Sequence, residues 1–238
     1  RAIGNISTAT GFRNTASGST SVSMGNYNYA TGDSSIALGK ENWAEGASTV
    51  AIGYQNHAAG AGSVSLGQEN IAWGTTNFTS GYQNVAGDIS ADVGTAGSAT
   101  ALGMQTTASG RSSFTSNKNT TASNQASAAL GISTNADNFG MLAIGVNNSA
   151  GLGDTTVDPD NYGGYYYADG EYTGSSPGVA FVVGNGDIDS SNGLAGANPS
   201  NAFIVNYDGS ATLSGDLTIN SDARLKSNIM TLGSTLSK

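Results

Sequence analysis

The sequence predicts an all-β protein, a parallel β-solenoid built from fourteen-residue coils, on three observations. Glycine falls at positions 4, 11, 18, 25, 32, 39, 46, 53, 60, 67, 74 and 81, a spacing of seven without a miss. The residue before each glycine alternates between large apolar (Met24, Leu38, Ile52, Leu66) and small or polar (Thr31, Glu45, Ala59). Two residues further back, the first class carries Val22, Ile36, Val50 and Val64. Asparagine stands three residues after every second glycine, as Asn14, Asn28, Asn42, Asn56, Asn70 and Asn84. The true repeat is therefore fourteen residues long and reads S/T-V/I-A/S-L/I/M-G-x-x-N-x-A-x-G-x-x.

Each part of that unit has a physical role. A V-A-L-G segment alternates with period two, so its large apolar side chains leave one face of an extended strand and Ala or Ser leaves the other. Glycine every seventh residue, with Asn, Asp and Ser nearby, supplies the corners of tight turns. Two short strands and two turns make one coil, hydrogen-bonded to the next. Helix is excluded because glycine at this density would cost roughly 1 kcal/mol at each position. Collagen would need glycine at every third residue.

Segments such as Ser21–Gly25 (S-V-S-M-G), Ser35–Gly39 (S-I-A-L-G) and Thr49–Gly53 (T-V-A-I-G), each followed by N-x-A-x-G, resemble the head repeats of trimeric autotransporter adhesins. The resemblance covers residues 1–152. It implies a left-handed parallel β-roll, a homotrimeric fibre, and a trimer core formed by Val22, Met24, Ile36, Leu38, Val50, Ile52, Val64 and Leu66. Oligomerisation follows separately from the residues. One coil offers only two dependable large apolar side chains. Its other strand carries Tyr29/Thr31, Trp43/Glu45 or His57/Ala59, which cannot close a core alone.

Composition narrows the function classes. The 238 residues are 37% hydrophobic and 11% charged, with 35 glycines and no cysteine. Such a chain is poor in core-forming residues, but the strict period argues against disorder. The absence of cysteine excludes a disulfide framework. A net charge of −9 disfavours nucleic acid as a partner. No apolar run approaches the length of a membrane-spanning helix, so no membrane span is expected. There is no initiator Met and no signal-peptide pattern, so a processed or fragmentary start at Arg1 is expected.

Along the chain, the phase slips after Gly81. Between Gly81 and Gly103 lie 22 residues, three beats plus one, which predicts either a β-bulge or a degenerate coil. The beat resumes at Gly103, Gly110, Gly131 and Gly145, with Asn117, Asn124 and Asn138 in glycine slots, since Asn tolerates the left-handed region best after Gly. Phe114, Leu130, Leu142 and Ile144 keep the apolar face. Coils at roughly 4.8 Å each, about eleven of them, predict a rod on the order of 50 Å long.

Residues 153–178 form an acidic, Tyr-rich insertion. Tyr162, Tyr165, Tyr166, Tyr167 and Tyr172, half the tyrosines of the chain, stand among Asp154, Asp158, Asp160, Asp169 and Glu171. Packing against the rod or a neighbouring chain is the first expectation for these rings. A glycan- or protein-binding surface is the second, because tyrosine combines apolar area with a polar tip. Residues 179–220 read as a β-rich neck containing the buried strands Val179–Val183 and Ala202–Val205. Between them, Asp187-Ile-Asp189-Ser-Ser191 starts like a calcium loop. Its glycine comes one place late and position twelve is Asn198, so an acidic turn is expected instead.

Residues 221–238 change character. S-D-A-R-L-K-S-N-I, preceded by A-F-I-V-N-Y-D-G-S-A-T-L-S-G-D-L-T-I-N, resembles the opening of the intramolecular chaperone domain at the C-terminus of phage tail fibres, tailspikes and endosialidases. That resemblance implies a module that trimerises the nascent fibre and, in many members, cuts itself off. Ser221 would be the nucleophile and Lys226 its base, which a desolvated lysine can be. Many members do not cut, and this chain runs on past Ser221, so an uncut chain is the leading expectation.

No other enzyme constellation is present. His57 is the only histidine, so a transition-metal site would need three copies gathered on a threefold axis, and no metal or other cofactor is expected. The sequence thus predicts a structural and adhesive fibre that is extracellular and binds a cell-surface glycan or protein receptor. It would be the tail fibre of a phage or phage-tail-like injection particle, where a baseplate or another fibre protein would be a further partner. The alternative is a bacterial cell-surface adhesin, although no coiled coil or membrane-anchoring barrel is evident. Well behind stand a tailspike-like glycan depolymerase, for which the acidic insertion could supply two carboxylates, and an ice-binding solenoid, for which a sustained T-x-T column is missing.

Overall fold

The computed structural model describes residues 1–89, 97–151 and 178–216. Every regular element in it is a strand. From β1 (Thr8–Phe12) and β2 (Thr15–Ala16) to β18 (Asn135–Ala136) and β19 (Leu142–Val146), a five-residue strand alternates with a two-residue strand, one of each per coil. The long strands stack in one parallel sheet and the short strands in a second, nine-stranded one. Register is set by the fourteen-residue period: Val22 lies opposite Ile36, Met24 opposite Leu38 and Gly25 opposite Gly39. The same columns continue through Val50 and Val64.

The core within each coil is thin. From the long strands Ser23, Ala37, Ala51 and Ser65 point inward, and from the short strands Ala30, Ala44, Ala58 and Ala72; all are fully buried. Only small side chains fit between two strands of one coil, which is why the V-x-L centre is always Ala, Ser or Thr. The large residues on either side of it face outward.

The two glycine classes have different causes. Gly25 adopts φ 119°, a conformation that L side chains rarely reach. Gly18 has no such dihedral. It is required because a Cβ there would collide with the carbonyl of Gly32 on the next coil. The Ser or Thr three residues after this second class caps the corner: Ser21 Oγ donates to Gly18 O at 2.6 Å and Thr49 Oγ1 to Gly46 O at 2.8 Å.

The asparagines form an internal spine. Asn42 is fully buried. Its Nδ2 lies 2.9 Å from Leu38 O, 2.8 Å from Gly53 O and 3.0 Å from Asn28 Oδ1. Its Oδ1 accepts from the N–H of Asn56 at 3.1 Å. The pattern repeats from Asn14 to Asn84 and satisfies backbone carbonyls that the turn would otherwise strand.

At the phase slip the structure differs from the expected bulge. β11 (Phe78–Tyr82) and β13 (Thr100–Met104) pair without a shift, Gly81 opposite Gly103. The coil is longer by eight residues, and the added length falls between β12 (Val85–Ala86) and β13, not within a strand. An insertion in a turn costs the ladder nothing, whereas one residue added within a strand would break its register. Residues 90–96 of this excursion are outside the described part.

Beyond β19 the ladder continues. β20 (Val179–Asn185) adds in parallel, with Gly184 opposite Gly145. β23 (Asn201–Asn206) and β24 (Ala211–Leu213) then pair antiparallel and complete a thirteen-stranded sheet. Here the core turns larger: Met141, Val179 and Val182 cluster with Ile204, and Phe181 meets Phe203 edge-on at 6.2 Å. A small hairpin, β21 (Ile188–Asp189) with β22 (Leu194–Ala195), is tied to the rod where Lys118 Nζ donates to Asn192 O at 2.7 Å.

Candidate functional site

Two surfaces of the rod present side chains that the coil does not need for itself. The first is the outward face of the long strands. Val22, Met24, Ile36, Leu38, Val50, Ile52, Val64 and Leu66 form two adjacent columns over four coils, half-buried or exposed, with Met24 at 42% and Ile52 at 37% exposure. No charged residue interrupts these columns. Burying each such side chain is worth about 1.5–3 kcal/mol, so a single chain leaves a large driving force unused. From β11 to β17 the columns weaken, with Phe78 followed by Ser80, Thr100 by Leu102, Phe114 by Ser116 and Ala128 by Leu130, before Leu142 and Ile144 of β19 fill both again.

The second surface is the outer face of the short strands. One column there runs Thr15, Tyr29, Trp43, His57, Ile71, Val85, Thr107, Thr121 and Asn135. Its three rings touch in sequence: Tyr29 and Trp43 have centroids 5.2 Å apart, and Trp43 and His57 6.0 Å. Trp73, two residues along the next coil, extends the run at 5.9 Å from His57. His57 Nε2 stands 3.0 Å from Glu45 Oε2. Glu41, Trp43, Gln55, Asn56 and His57 line an open cleft of about 470 Å³. Gln55 Nε2 donates to Glu41 Oε2 across it at 2.7 Å.

The sequence shows these aromatic residues at fourteen-residue spacing, but they were legible there only as side chains unable to close a core. Their contact with one another depends on the exact parallel register. The other candidates fall elsewhere. Tyr162, Tyr165, Tyr166, Tyr167, Tyr172, Ser221 and Lys226 all lie outside the described residues. Among the described residues no three His, Cys, Asp or Glu side chains group as metal ligands, and no helix is long and apolar enough to cross a membrane.

The calcium-like segment forms hydrogen-bonded turns. Asp187 accepts from the N–H of Asn198 at 2.8 Å, and Asp189 from the N–H and hydroxyl of Ser191. The Ser191 hydroxyl, then its N–H, holds the Asp189 carboxyl below the ordinary aspartate range. Ser210 does the same to Asp208.

Residues 16–42 and 44–70 match the YadA head domain repeat, in two copies. The matched stretch is under a quarter of the chain and coincides with the coils that carry the full apolar columns and the aromatic run. No curated protein matches the chain. Head repeats of this kind indicate a trimeric adhesin-type fibre.

Proposed function

We propose that the protein is a receptor-binding fibre of a phage or phage-tail-like injection particle, extracellular and directed at a cell-surface glycan or protein. The outward apolar face carries the trimeric part of this proposal: two large, uncharged columns stand outside the coil, and none of the described residues covers them. The particle is suggested by the C-terminal S-D-A-R-L-K-S-N-I, with its resemblance to the chaperone of phage fibres. A second reading, a bacterial cell-surface adhesin, is favoured by the head-repeat match at residues 16–70. Gold-labelled antibody against the rod separates the two. Labelling of purified particles supports the first, and labelling of intact producing cells alone supports the second.

Light scattering on the native protein tests the assembly. Three chains of 23.7 kDa each are expected, and a monomer would overturn the fibre. An uncut chain is the leading proposal; the alternative is self-cleavage of the peptide bond before Ser221, with Ser221 as nucleophile and Lys226 as base. The mass of the denatured chain reads it directly. A product ending at the Ser221 junction, abolished by Ser221→Ala, supports cleavage; a full-length chain makes the chaperone-like segment a permanent cap.

A further inference from the structure

The aromatic run is not part of the solenoid's own architecture. The column holding Tyr29, Trp43 and His57 takes Thr at 15, 107 and 121, Ile at 71, Val at 85 and Asn at 135, in coils of unchanged register. The backbone therefore asks nothing of this position beyond an extended conformation. Three aromatic side chains on successive coils, with Trp73 beside them, are a local addition. Trp43 is 47% exposed, a poor position for a large ring unless something covers it.

We propose that this face is a binding site for a neutral glycan, with the Trp43 ring as the platform for one pyranose. The inference rests on the fibre proposal in one respect: the long-strand face must be the one turned to the partner chains, leaving the short-strand face outside. The chemistry of the ligand follows from the cleft. An exposed indole offers an apolar, electron-rich face suited to the C–H face of a sugar. Glu41 and Gln55 at its rim are acceptors and donors for hydroxyl groups. His57 lines the cleft and its Nε2 faces Glu45 Oε2 at 3.0 Å. Tyr29 and His57 lie 5.2 and 6.0 Å from Trp43 along the rod, inclined to it by 53° and 68°, so they brace the indole edge-on and leave it as the one stacking face. Glu41 in the cleft and Glu45 beside His57, with Lys40 3.4 Å from Glu41 as the one cation set against them, leave a site without excess positive charge on a chain of net charge −9, which disfavours sulfated and sialylated sugars.

The test is isothermal titration of the whole protein with two neutral probes, β-1,4-linked tetrasaccharides of N-acetylglucosamine and of glucose, beside a sulfated disaccharide. Saturable binding of at least one neutral probe is expected at up to about 10 mM, the weak range of one or two stacked rings. Trp43→Thr, which installs the residue found at 15, 107 and 121, should weaken it roughly tenfold or more without shifting the melting temperature. His57→Thr should weaken it less. Absence of saturable heat with both neutral probes would overturn the proposal. So would unaltered binding in Trp43→Thr, or binding of the sulfated probe alone. Light scattering, with acrylamide quenching of a Trp73→Phe variant that leaves Trp43 as the one indole, separates this failure from that of the fibre. A trimer in which Trp43 is shielded from acrylamide keeps the fibre and removes the site. A monomer that binds the probe through Trp43 keeps the site and removes the fibre.

Discussion

The coils from Asn14 to Asn84 and those from Thr106 to Thr134 share one backbone and differ in what fills it. In the first group the turn is held by an Asn whose amide reaches the carbonyls of its own coil and the next. In the second the slot is Thr. Thr106 Oγ1 still donates to Asn84 Oδ1 at 2.7 Å, but Thr120 Oγ1 makes only a 3.4 Å contact and Thr134 Oγ1 has no hydrogen-bond partner among the described residues. The outward columns change in the same direction, from Val50 with Ile52 to Phe114 with Ser116. The parallel ladder persists through both, so it is carried by backbone hydrogen bonds and small inward residues. The spine and the outward columns add strength and assembly on top of it.

The outward columns give the largest expected effect. Ile52→Asp places three carboxylates in the proposed core, at a cost of several kcal/mol for each ion taken out of water. The native mass is expected to fall from three chains to one, as read by light scattering. A gentler pair sharpens the comparison. Ile52→Ser imposes on the first group what the second carries at Ser116 and should cost about 1.5–3 kcal/mol per chain. Ser116→Ile should raise the unfolding midpoint. If Ile52→Asp remained trimeric with an unchanged midpoint, the long-strand face would not be the interface.

Next in size is the spine. Asn42→Ala leaves Leu38 O, Gly53 O and Asn28 Oδ1 short of a buried donor and the N–H of Asn56 short of an acceptor. Two such groups cost about 2–6 kcal/mol per chain, given roughly 1–3 for each. Thr120→Ala removes one long contact and should cost below about 1 kcal/mol. Denaturant midpoints of the two variants check the contrast. Equal losses would mean that the Asn spine adds nothing beyond space filling.

Much of this was legible in the sequence because a repeat states the same structural demand many times. The fourteen-residue period gave the coil, the V-x-L alternation gave the outward columns, and Asn117 and Asn124 were readable as glycine substitutes, where Asn117 indeed pairs with Gly103 and Gly131. For the insertion after Ala86 the sequence left a bulge and a degenerate coil open, and the unshifted pairing of β11 with β13 removes the bulge. Counting residues gives the phase modulo seven but not whether the extra chain sits in a strand or a turn. The asparagines were visible as a marker, but their role needed the next coil, because their partners lie eleven and fourteen residues away. The same holds for the contact of Tyr29, Trp43 and His57, which is a property of stacking and not of any one coil.

The smallest effect lies on the surface column two residues after the glycines. In the first group this column carries Glu41 with Gln55, then Glu69 with Gln83; in the second it carries Asn119 with Ser133. Gln68, and then Gln83, donate to the Glu69 carboxylate and hold it below the ordinary glutamate range. A group whose folded value is lowered contributes stability above its unfolded value and loses it as pH falls through the folded one. Wild type should therefore melt slightly above Glu69→Gln at neutral pH. The gap should close as the pH drops below the ordinary glutamate value, and it should be small because solvent and salt screen an exposed carboxylate. Asn119→Gln, in the same column but without a carboxylate, should show no such closing. Melting curves of the three proteins between neutral and acid pH read the comparison. A gap that widened on acidification would mean that Glu69 is stabilised as the acid, and would assign the acid sensitivity of the first group to another carboxylate.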